Sequence, residues 1–196
     1  MKTTLLLVTA ILLLLSCSSA DQEKQPETTT VTEQIADSTT STSGLETRTV
    51  LGGRLSILVP SDFTLMDKGM LDLKYPMQAH RPSEVYTNYE GSINVAFNFT
   101  QNRGAMRELP AFREFLQHQF DRPGVEFLNS EIRSINGRDF AVQEFITQAI
   151  DSRIYNHMFV TSLDGRWLMC TFNCTINHLD EWRPKAAEIV NSVRVL

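Results

Sequence analysis

Glu144 and His157 are the residues of this chain whose types and spacing point most directly to chemistry. They flank a polar break at Ile150-Asp151, and a turn there sets the carboxylate directly opposite the imidazole on paired antiparallel strands. The same register puts Asn129 beside Glu144 and Glu131 diagonal to it, on a face otherwise built of Phe140, Val142, Phe159 and Phe172. A carboxylate against an imidazole in apolar surroundings favours the charged histidine, or works as a general-base pair where a cleft admits a substrate. Without a cleft the same two residues are a satisfied polar contact near a sheet end. No nucleophile accompanies them: the chain has no Gly-x-Ser-x-Gly elbow and no phosphate-cradling glycine loop.

Cysteine offers a different chemistry. Met1-Lys2, an apolar run from Leu5 to Leu15 relieved by Thr9, and then Leu14-Leu15-Ser16-Cys17 read as a secretory leader, residues 1–16. The run is short for a membrane span. Its end resembles the bacterial lipobox, in which the cysteine thiol takes a diacylglyceryl group and cleavage frees an amine that is usually acylated too. Two or three chains, at about 0.8 kcal/mol per buried CH2, anchor a protein stably. Cys17 is therefore the expected lipidation site. Ser18 stands where enteric lipoproteins retained at the inner membrane carry aspartate, which favours the outer membrane. Cys170 and Cys174, four apart on one strand face, are separated by about 13 Å between Cα atoms, beyond disulfide reach, so two buried free thiols are expected. A disulfide needs Asn173 to bend out of the strand, and His178 joins the pair as a metal site only on a helix.

The elements that position these residues follow from composition and punctuation. The chain has 196 residues and a formal net charge of -5, and loss of the leader with Lys2 takes it to -6. A mildly acidic chain without a basic stripe is a poor partner for nucleic acid. Residues 17–47, rich in Ser, Thr, Glu and Gln, cannot bury enough surface to order themselves and read as a flexible tether after the lipidated cysteine. About 30 such residues reach roughly 30 Å. Residues 48–196 suffice for one domain with a single core.

Within that domain Leu55 to Val59 is a strand stopped by Pro60, Leu71 to Tyr75 and Val85 to Asn88 are short strands, and Ser92 to Thr100 alternates cleanly. Leu109, Phe112, Leu116 and Phe120 predict a helix with Pro110 in its first turn. Four long strands follow, at 126–135, 140–150, 153–163 and 167–174, joined in part by Asn136-Gly137 and Asp164-Gly165, dipeptides suited to tight hairpins. A helix from Arg183 to Ser192, with Pro184 in its first turn, closes the chain. The strands present one face with Phe140, Val142, Ile146, Tyr155, Phe159, Leu168, Cys170 and Phe172, and another with Phe145, Met158, Val160, Trp167 and Met169, joined there by Leu128, Ile132 and Ile154. Two apolar faces need cover on both sides, which predicts an α/β fold: an α/β/α sandwich around a mostly antiparallel sheet.

The stretch from Gly53 to Phe63, the Ile135-Asn136-Gly137 turn and the run from Ile189 to Val195 resemble the PsbP/DcrB-like lipoproteins over most of residues 50–196. The resemblance implies a small α/β/α sandwich serving as a non-enzymatic envelope accessory or binding protein. It brings no catalytic set, metal or cofactor to carry over. The expected partners are the membrane, through the lipid, and another envelope protein. A loop with Tyr75, Tyr86 and Tyr89 offers a contact surface, since amphipathic tyrosines on a loop make good contact residues. The same tyrosines also serve as lids on the core edge. The rival reading is a hydrolase using Glu144 and His157, or a carrier holding an apolar ligand between sheet and helix. His80, His118 and His178 lie in polar stretches or on a solvated helix face and read as surface histidines.

Overall fold

A computed structural model describes residues 44–78 and 81–196. Cys17, the leader, the tether up to residue 43 and His80 lie outside the described residues.

The domain opens with the hairpin β1 (Leu45–Val50) and β2 (Leu55–Pro60), followed by β3 (Thr64–Leu65), α1 (Lys68–Lys74), β4 (Glu84–Thr87) and β5 (Ile93–Arg103). After α2 (Leu109–Phe120) come the four long strands β6 (Val125–Ile135), β7 (Arg138–Gln148), β8 (Arg153–Leu163) and β9 (Arg166–Thr175), then α3 (Leu179–Ser192) and β10 (Arg194–Val195). Seven strands form one sheet in the order β3-β4-β5-β9-β8-β7-β6, and β1-β2-β10 form a second, with antiparallel pairing throughout.

The expected sheet faces are found. Phe140, Val142, Ile146, Tyr155, Phe159, Leu168, Cys170 and Phe172 all enter the main core, roofed by Trp182, Ala186, Ile189 and Val190 of α3 and by Leu55, Ile57 and Val59 of β2. Phe145, Met158, Val160, Trp167 and Met169 face Leu109, Leu116 and Phe120 of α2 on the other side. Leu128 and Ile132, assigned to that second face, stay exposed on the edge strand, where a bulge between Phe127 and Asn129 shifts the register. Helices cover both faces of the large sheet, and α3 shares its face with a small sheet that the sequence pattern does not announce.

Three further expectations are corrected. Leu45, Glu46 and Thr47, assigned to the tether, belong to β1, where Leu45 is buried opposite Pro60. Leu71 to Tyr75 is not a strand: Asp67 accepts from the Met70 amide at 3.0 Å and starts α1, which lays Met70, Leu71 and Tyr75 on Met66, Val85 and Ala96. The last helix begins at Leu179, not Arg183, with Asp180 and Glu181 in its first turn and Pro184 inside it. A single-turn 3-10 segment at 176–178 leads in, and buried Trp182 stacks on Phe172 at 5.9 Å and lies 5.7 Å from Phe63, anchoring a turn that its polar neighbours conceal in sequence.

Candidate functional site

Strand register delivers the expected constellation. Glu144 pairs with His157 across β7 and β8, Asn129 stands opposite Glu144, and Glu131 lies two pairs along, opposite Val142. The two sheet residues nevertheless make no direct hydrogen bond in this arrangement. Tyr155, two residues before His157 on the same face, stands between them: its hydroxyl donates to Glu144 Oε2 at 2.8 Å and lies 3.4 Å from His157 Nδ1. From the roof, Arg183 of α3 donates Nε–H to the same Glu144 Oε2 at 3.1 Å.

The single phenolic proton fixes the proton order. Because it is given to Glu144, His157 must donate Nδ1–H to the Tyr155 oxygen, which leaves Nε2 as the acceptor nitrogen. That atom is buried and has no hydrogen-bond partner among the described residues. The chain of contacts therefore runs His157, Tyr155, Glu144, Arg183, and ends in an ion pair between sheet and helix.

Of the alternatives that the pairing left open, the electrostatics disfavour a charged histidine. His157 is 2 % exposed, and desolvation lowers its pKa to about 4, with Arg133 and Arg183 repelling the added proton and Glu144 and Glu131 only partly opposing them. Burial, reinforced by the bond to Glu144, raises the Tyr155 hydroxyl far above its ordinary value. Beside this chain Glu131 accepts from Arg133 and, at 3.2 Å, from Asn129, contacts that lower its pKa, while Arg133 reaches Asn191 of α3 at 3.3 Å. With the Glu144 side chain only 12 % exposed, the cluster joins α3 to the sheet and offers a substrate no approach to the imidazole.

Tyr155 and Arg183 are the participants that sequence reasoning missed. Tyr155 sits opposite Ile146, two residues from Glu144, so the register already made it a diagonal neighbour within reach. Arg183 carries no such signal, because its position depends on how α3 crosses the sheet.

The three tyrosines do not form one surface. Tyr75 belongs to the cluster under α1, where burial raises its hydroxyl to about 12. Tyr86 packs toward the main core on the opposite face, edge-on to Phe97 at 6.4 Å and capped by the Arg48 guanidinium at 5.1 Å. Tyr75 and Tyr86 are half-buried, whereas Tyr89, at the turn between β4 and β5, is 98 % exposed. That turn is held to α1 by Lys74, whose ammonium donates to the Gly91 carbonyl, and Leu73 and Met77 nearby in sequence are exposed as well.

Cys170 and Cys174 are buried free thiols, as their strand spacing predicts, and desolvation raises both, Cys174 to about 12. Among the described residues no three His, Cys, Asp or Glu side chains are placed to hold a metal ion.

Comparison with solved structures defines the class. The chain has a PsbP-like fold: it matches the solution structure of cyanobacterial PsbP (CyanoP) from Synechocystis sp. PCC 6803 with a TM-score of 0.53 at 13% identity, over 82% of this chain and 98% of that one. A Bacteroides thetaiotaomicron VPI-5482 crystal structure matches at 0.50 and 13% identity, over 78% of this chain and 49% of that one. Mycobacterium tuberculosis LpqN, a protein involved in cell envelope biogenesis, gives 0.49 at 10% identity over 72% of this chain and 82% of its own. No protein-family description matches the sequence, and no curated protein does.

Proposed function

We propose that this chain is a lipid-anchored, non-enzymatic accessory or binding protein of the bacterial envelope, tethered through Cys17 and contacting another envelope protein. The leader followed by Leu14-Leu15-Ser16-Cys17 supports the anchor, Ser18 after it supports the outer membrane as its address, and the PsbP-like fold is compatible with an accessory role. The observation that carries the contact surface is the exposure of Tyr89, Leu73 and Met77 around α1 and the β4–β5 turn, large apolar groups that the fold leaves in water at one end.

Chemical cross-linking in the native host followed by recovery of the full-length protein tests this reading. Tyr89→Ala with Leu73→Ser is expected to reduce recovery of one envelope partner while leaving the circular dichroism spectrum unchanged. Undiminished recovery removes this surface. Metabolic labelling with a tagged fatty acid tests the anchor separately: label that survives Cys17→Ala removes Cys17 as the lipid site. The hydrolase reading finds no support in the cluster, whose imidazole is buried. Against the carrier reading, Trp182 packs on Phe172 and Phe63 between the sheet and α3.

A further inference from the structure

At the far end of the large sheet, around the Asp164-Gly165 turn, three arginines gather on one face. Arg166 stands directly opposite Arg103 across β9 and β5. Like charges in directly opposed positions destabilise a strand pair. Arg54, from the turn between β1 and β2, comes to the same place: its guanidinium carbon lies 5.3 Å from the centre of the Phe99 ring, and that of Arg166 lies 5.4 Å from it. Phe99 is thus a ring that two cations contact at once.

Little neutralises this gathering. Arg54 meets Asp164 at 3.4 Å, but the two side chains are 51 and 63 % exposed, so the pair is weak. Arg166 spends one N–H on the neutral Gln101 oxygen at 3.2 Å, and Arg103 has no hydrogen bond or ion pair among the described residues. A register irregularity between Phe99 and Arg103 is what brings Arg103 opposite Arg166 instead of continuing the ladder away from it. In a chain whose overall charge is negative, the three guanidiniums stand near Asp164 and near Glu84, whose carboxylate is held by the Leu51 amide of the β1–β2 turn at 2.8 Å.

We propose that Arg54, Arg103 and Arg166 form a binding site for a phosphate group, with Phe99 as the ring that two of the three cations contact. Guanidinium forks match phosphate oxygens two at a time, and a tetrahedral dianion accepts from several directions at once. A bound phosphate relieves the Arg103–Arg166 repulsion and replaces the solvent-exposed contact to Asp164. Two sources share this chemistry, a phospholipid headgroup and a free phosphate-bearing molecule.

The test uses the full-length protein in a neutral detergent, with arginine Nε–H resonances as the readout. Inorganic phosphate is one probe; short-chain phosphatidylglycerol, compared with phosphatidylcholine, is the other. Saturable shifts of the Arg54, Arg103 and Arg166 signals are expected. Arg103→Gln, which removes an exposed side chain without a fold contact, should weaken them about tenfold, the loss that accompanies one charge-assisted hydrogen bond. Asp164→Asn should strengthen binding by removing the competing carboxylate. Tighter binding of phosphatidylglycerol than of inorganic phosphate assigns the site to a headgroup, and the reverse assigns it to a soluble ligand. The proposal is overturned if neither probe saturates, if phosphatidylcholine acts as phosphatidylglycerol does and inorganic phosphate is inert, or if Arg103→Gln responds as wild type does.

Discussion

Burial of His157 makes the fold lose stability on the acid side of neutrality, by an amount that can be worked out. The imidazole is lowered to about 4 in the folded protein against an ordinary 6.5, chiefly by desolvation, which Glu144 opposes and to which repulsion by Arg133 and Arg183 adds. Between those values the unfolded chain is protonated at this position and the folded chain is not, so unfolding takes up a proton. The contribution is complete above 6.5 and is lost as the pH falls from 6.5 toward 4. At about 1.4 kcal/mol per pH unit the loss reaches about 2 kcal/mol near pH 5 and levels off at about 3 kcal/mol below pH 4. Urea unfolding of the wild type and of His157→Phe over this range isolates it. Asp72 and Glu181, whose carboxyls are also held low by cationic neighbours, titrate in both proteins and cancel in the difference, whereas Glu131, which feels the His157 charge, cancels only in part. The variant is offset by a constant, because Tyr155 loses its donor, but its stability should not fall in the same way. Stability curves that stay parallel from neutral pH to pH 5 would refute the neutral, buried imidazole.

Other expectations are simpler to state. Asn136, at φ 51 in the β6–β7 turn, donates to the carbonyls of Asn191 and Val193 at 3.1 and 2.9 Å, so Asn136→Ala should cost about 2–3 kcal/mol in denaturant unfolding through two lost hydrogen bonds and left-handed strain. A methyl group at Gly104 falls 2.2 Å from Trp167, whose ring is stacked at 4.1 Å on Phe112; Gly104→Ala should lower the melting temperature and alter tryptophan fluorescence as α2 is pushed away. Cys170 and Cys174 should resist a maleimide in native buffer and react together in denaturant, since both are buried and their pKa values are raised.

The long strands were legible because period-two alternation and two hairpin dipeptides fix register together, and register alone predicted Glu144 opposite His157. What failed was local punctuation overridden by tertiary contact. Asp67 converts an apolar stretch into a helix start, and Trp182 commits the polar segment before Pro184 to α3. The charge state of His157 stayed open for a related reason: pairing was visible from spacing, whereas the depth of burial depends on a helix laid over the sheet. Tyr155 was in principle within reach of the register argument, and Arg183 was not, because a helix crossing leaves no period in the strands it covers.

The position of β2 in the small sheet, between β1 and β10, has a consequence for biogenesis. The opening hairpin gains its second neighbour only from residues 194–195, and the roof that β2 begins over the main core is completed by residues 179–192. A polypeptide emerging from its N-terminus cannot close this core until those late segments are available. Loop-closure entropy over most of the domain opposes premature folding in the meantime. Such an architecture makes closure of the core a late event that waits on segments far apart in sequence.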